Sequence, residues 1–146
     1  MNQVFFRAEE TPLPPWTKAA GLYAKKVMRK LKVKNWELSI LLCDNKHIKT
    51  LNSRYRNKNE PTDILSFSDG AILPSEQMMA GDLVISLDAL KENTRFYKVS
   101  EDEELRRLLI HGILHLAGKD HETNNAKEPM LVLQEEILAN LPERIL

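Results

Sequence analysis

The sequence has 146 residues, 42% of them hydrophobic and 29% charged, a length and balance that bury a core without staples and exclude disordered, collagen-like and membrane classes. The formal net charge of zero conceals a division. Residues 1–58 hold 13 Lys and Arg against 4 Asp and Glu, a balance of +9, and residues 59–146 hold 8 against 17, a balance of −9. This division permits a basic face for a polyanion, or cancellation when the halves fold together.

Asn2 to Arg7 reads as a short edge strand, with neither the basic residues nor the apolar run of a secretory leader. Thr11-Pro12-Leu13-Pro14-Pro15 breaks it before a helix from about Trp16 to Leu31. Leu22, Val27 and Leu31, with Trp16, Ala19, Ala20 and Tyr23, mark the expected buried side of that helix. Trp36 to Cys43 follows as a strand. Cys43 is the only cysteine, so no internal disulfide partner exists and no cysteine-based zinc site. Asp44 is a good N-cap for a helix carrying Ile48 and Leu51 toward Tyr55.

Arg54-Tyr55-Arg56-Asn57-Lys58-Asn59-Glu60-Pro61 reads as a basic loop, then Thr62 to Phe67 as a strand, and residues 69 to 80 as a loop. Gly81 to Ser86 is another strand, after which Ser86 or Asp88 caps a helix over Leu87 to Tyr97. Ser100-Glu101-Asp102-Glu103 opens a helix through Leu116 or Ala117, with acidic residues at the positive end of its dipole. Glu128 to Asn140 supplies the last. No stretch approaches the ~18 apolar residues of a spanning helix, so the expected address is the cytoplasm, without membrane partners. The order of elements implies one α+β domain over residues 1–146, a small mixed β-sheet packed with about five helices.

Three of the four histidines fall in His111-Gly112-Ile113-Leu114-His115-Leu116-Ala117-Gly118-Lys119-Asp120-His121. His111 and His115 are four apart on the expected helix, so their rings share a face one turn apart. Gly118 suits the left-handed turn that would bring His121 back to them. Three neutral imidazoles leave a fourth position open, the pattern of a catalytic zinc site holding one Zn2+ per chain. His47 has no such company and reads as structural. The spacing is that of the extended metzincin motif, His-Glu-x-x-His-x-x-Gly-x-x-His, with Gly112 in place of the glutamate that serves those proteases as general base. Asp120 either orients a ligand imidazole or caps the turn; Asp63 and Asp82 read equally well as turn or strand-end residues.

The histidine segment resembles the signature of the YbeY family of bacterial zinc-dependent endoribonucleases of rRNA maturation. Two further blocks agree in order and spacing: Leu51-Asn52 with Tyr55-Arg56 through Pro61-Thr62-Asp63-Ile64-Leu65-Ser66-Phe67, and Gly81-Asp82-Leu83-Val84-Ile85-Ser86. The resemblance runs from about Trp36 to Leu138, and Ser68 stands where the family usually has proline. It implies a metzincin-like histidine helix, metal ligation by His111, His115 and His121, and catalytic roles for His111 and for Arg56, the counterpart of the family's essential arginine. It also implies single-strand-specific cleavage in 16S rRNA 3′-end maturation and ribosome quality control, with the rRNA precursor and the ribosome or small-subunit proteins as partners. A guanidinium at Arg56 can grip two phosphate oxygens. Arg54 and Lys58 are candidates for phosphate contacts that position the RNA. Two rival readings are a zinc peptidase-like hydrolase, which Gly112 disfavours, and a non-catalytic ribosome-assembly factor stabilised by zinc.

Overall fold

The computed structural model describes residues 1–146. Its elements are β1 (Gln3–Ala8), α1 (Thr17–Lys30), β2 (Trp36–Cys43), α2 (Asn45–Arg56), β3 (Ile64–Ser68), β4 (Met78–Ser86), α3 (Leu87–Tyr97), α4 (Glu101–Leu116) and α5 (Pro129–Asn140). The strands form one mixed sheet in the order β1-β2-β4-β3, with β1, β2 and β4 parallel and β3 antiparallel to β4. This is the expected α+β architecture of one small mixed sheet and five helices.

A parallel strand in the middle of a sheet is covered on both faces and so reads as a continuous apolar run; Leu38-Ser39-Ile40-Leu41-Leu42-Cys43 in β2 does so. Leu38, Ile40 and Leu42 join Leu83 and Ile85 of β4 beneath α1 and α4, and α5 packs against α4. Leu41 and Cys43 join Val84 and Leu65 on the other face, where Ile48 of α2 covers them. Cys43 is therefore a buried free thiol. No helix is long and apolar enough to cross a membrane.

Three expectations are corrected. Leu22 is 54% exposed, because the buried stripe of α1 follows the helical repeat through Ala20, Tyr23, Ala24, Val27 and Met28 and leaves Leu22 off it. Arg54, Tyr55 and Arg56 belong to the last turn of α2, since Pro61 restrains only its immediate neighbour and the helix stops at Asn57, whose φ of 56° is left-handed. Finally, β4 begins at Met78, within the expected loop. Its register slips by one residue, pairing Glu37 with Met79 and Leu38 with Gly81, and this bulge at Ala80 breaks the alternation that would have marked the strand. Gly81 is required there, for its φ is 145° and a Cβ would stand 2.1 Å from the Phe67 carbonyl oxygen.

Candidate metal and phosphate site

The site is built at the C-terminal end of α4. Ser100 caps the helix by accepting from the Glu103 amide at 3.0 Å, and Glu101, Asp102, Glu103 and Glu104 occupy its positive first turn. At the far end Gly118, φ 91°, closes a Schellman turn: its amide donates to the His115 carbonyl and that of Lys119 to the Leu114 carbonyl, each at 3.0 Å. The chain thereby reverses and returns His121 to the helix.

His111, His115 and His121 are each half-buried, and one ring nitrogen from each lies within 4.8 Å of the others. The Nε2 atoms of His111 and His115 face one another at 3.1 Å. His111 Nδ1 stands 2.7 Å from Gln134 Oε1, an acceptor only, so Nδ1 donates and Nε2 keeps its lone pair. His121 Nδ1 likewise donates to the Thr123 carbonyl at 2.8 Å. Burial holds His111 and His115 below the usual imidazole range, and the other histidines of the cluster add to this, so both are neutral near pH 7. His115 Nε2 can donate to the His111 Nε2 lone pair, or turn its own lone pair inward beside it toward a cation. Two nitrogens at the 2.0–2.1 Å zinc distance from a tetrahedral ion are about 3.3 Å apart, close to the observed pair, so the donor set fits a divalent ion bound by imidazoles.

Asp120 lies nearest the turn role. Its Oδ1 accepts from the His121 amide at 2.8 Å, whereas His115 Nδ1 is 3.9 Å away, beyond hydrogen-bond reach. Asp63 accepts from the Asn93 amide at 3.0 Å, and Asp82 is exposed on β4.

Gly112 faces the sheet from α4, against Leu83 of β4 and Ile64 of β3. A Cβ there would stand 2.7 and 2.8 Å from the two Leu83 methyls and 2.9 Å from Ile64 Cδ1. A side chain at the position that carries glutamate in the metzincin pattern would therefore have to displace these methyls, at a cost of about 1–3 kcal/mol.

Arg56 lines the same cavity as His111 and His115, a space of about 370 Å³ that also touches Ser66, Ser68 and Lys119. One Arg56 terminal nitrogen donates to the Ser66 carbonyl at 3.1 Å, and the Tyr55 ring meets Phe67 edge-on at 5.5 Å, so the end of α2 is pinned to β3. A guanidinium has five N–H donors, so most of them stay free. Arg54 is not brought to this cavity; it lines a separate groove of about 580 Å³ with Lys46 and Lys49. Lys58 is exposed just beyond the left-handed Asn57 and lines neither.

Gln134 was not foreseen from sequence. It is 7% exposed on α5, and it fixes the His111 tautomer. Outer partners of this kind typically contribute 10–100-fold in metal affinity. Gln134→Ala is thus expected to weaken metal binding by about that factor in a competition against a colorimetric chelator; unchanged affinity would show that His111 needs no such help.

The α+β domain brings together three imidazoles that could hold a metal ion, beside an arginine. A family model described as Endoribonuclease YbeY matches residues 7–142, and the chain belongs to that family. A Treponema denticola protein named Endoribonuclease YbeY is 46% identical over 80% of this chain and 77% of its own. One of the same name from Treponema pallidum is 40% identical over 95% and 89%, and one from Borreliella burgdorferi is 47% identical over 77% and 78%. The solution structure of a Thermotoga maritima protein superimposes with a TM-score of 0.65 over 97% of this chain and 89% of that one, at 23% identity, and so shares the fold.

Proposed function

We propose that the chain is a zinc-dependent endoribonuclease of the cytoplasm. Its substrate is single-stranded RNA, and its place is 16S rRNA 3′-end maturation and ribosome quality control, with the small subunit as partner. The observation that carries this reading is that Arg56 shares one cavity with His111 and His115. His111, His115 and His121 would hold the ion, with Gln134 keeping His111 in the ligating tautomer. When bound, zinc supplies a Lewis acid and lowers the pKa of water. Arg56 binds the phosphodiester through its free N–H groups and neutralises the charge that grows on the phosphoryl oxygens. Lys46, Lys49 and Arg54 form a second cationic groove that, with Lys58, extends phosphate contact along the strand.

The peptidase alternative lacks its general base, since Gly112 stands at the glutamate position and a side chain there would have to displace the Leu83 and Ile64 methyls. The assembly-factor alternative gives Arg56 no task beside the histidines. Zinc-loaded protein should cut a single-stranded RNA oligonucleotide, stop on chelation, and leave an unstructured peptide intact. Peptide cleavage without RNA cleavage would select the peptidase, and RNA binding without turnover the assembly factor.

A further inference from the structure

A second cavity, of about 360 Å³, adjoins the first, with His111 and Ile64 lining both. Its size suits a small organic group, and its lining differs in kind from that of the arginine cavity. Leu108, Leu131 and Val99 supply apolar surface, and Tyr97, 60% exposed, supplies an aromatic ring. The polar groups disfavour an anion. Arg107 is occupied by Glu103 and Glu104, each at 3.2 Å, and by Glu135 at 3.0 Å, and the Asp63 and Glu104 carboxylates would repel a phosphate. Both Glu104 oxygens are engaged, one by Arg107 and one by Asn93 at 2.9 Å. Asp63 accepts from Asn93 through Oδ2 at 3.0 Å, and its Oδ1 takes no protein hydrogen bond.

We propose that this cavity seats an unpaired nucleobase adjacent to the phosphodiester held at the histidine cavity, and that Asp63 favours a base with an exocyclic amino group. The inference rests on the ribonuclease reading. Carboxylates accept from base amino groups such as cytosine N4, and unstacked bases are recognised by aromatic side chains and along their Watson–Crick edges. A base inside a duplex has that edge covered, so the cavity would also select single strands. Because His111 lines both cavities, a strand laid across it places phosphate on the Arg56 side and base on the Tyr97 side.

The test compares cytidylate and uridylate decamers, equal in length, charge and ring size and differing at the 4-amino or 4-keto group. With zinc-loaded full-length protein, kcat/KM should favour cytidylate by roughly tenfold, the lower part of the range for base-edge discrimination. Affinity measured in chelator should follow the same order. Asp63→Asn retains an oxygen for Asn93 and turns an N–H2 group to the cavity, so the ratio should fall to about one or invert. Leu131→Trp, which fills the cavity, should raise KM for both decamers while zinc content is kept. Equal cleavage of both decamers by the parent, or an undiminished ratio in folded Asp63→Asn, overturns the base site and leaves the ribonuclease reading standing. A parent protein with full zinc that cuts no RNA at all overturns both.

Discussion

Arg56→Ala is expected to keep the fold and the full metal content while RNA cleavage falls by about 100-fold or more, the range seen when a preorganised charge stabiliser is removed. Arg56 is exposed at the end of α2, and its side chain makes one hydrogen bond, to the Ser66 carbonyl, which water can replace. Tyr55 against Phe67, and Asn52, whose side chain donates to the Glu60 carbonyl at 2.9 Å, still hold this end of α2 in place. None of the three histidines bonds to Arg56, so their donor set is untouched. RNA affinity should drop far less than turnover, because the groove of Lys46, Lys49 and Arg54 remains. Arg56→Lys should recover little, since a lysine cannot rebuild a two-pronged contact with two phosphoryl oxygens. Zinc stoichiometry, thermal melting, affinity and single-turnover cleavage on one preparation check this. Parent-rate cleavage would make Arg56 a bystander, and loss of zinc or of the fold would make it structural.

The histidine cluster was legible because everything that assembles it is local. A four-residue spacing on a helix, a glycine where the helix must end left-handed and a third histidine three residues on are all read within eleven consecutive positions, His111 to His121. The metzincin spacing likewise flagged Gly112, but the crowding a side chain would meet there comes from Leu83 and Ile64, brought in from β4 and β3. Gln134 was illegible for the same cause. It reaches His111 from 23 positions along the chain, and a lone glutamine in a largely apolar helix carries no pattern of its own. Arg54 and Arg56, close in the sequence, are separated by geometry. Once both lie on α2, residues two apart project from nearly opposite sides of the helix, and the structure sends them to different cavities. The start of β4 was hidden by the bulge at Ala80, which reverses the in-out alternation partway along the strand.

His115→Ala tests the metal centre itself. The substitution removes one of three donors and leaves two, too few to hold an ion against water and buffer. The cost should exceed the 10–100-fold attached to an outer partner such as Gln134. It also removes the nitrogen 3.1 Å from His111 Nε2, which in the metal-free protein costs one partly buried hydrogen bond of about 1 kcal/mol. Metal-free variant and metal-free parent should therefore melt within a few degrees of each other, and the Schellman turn at Gly118, made by the backbone, should persist. A Lewis acid contributes several kcal/mol to charge stabilisation, so cleavage should fall by about a thousandfold or more. The most direct measurement is elemental analysis paired with RNA cleavage for the parent and His115→Ala, both freed of metal and then given one equivalent of zinc. The account predicts about one zinc and restored cleavage in the parent, with neither in the variant; full zinc in the variant, or RNA cleavage by the metal-free parent, would contradict it.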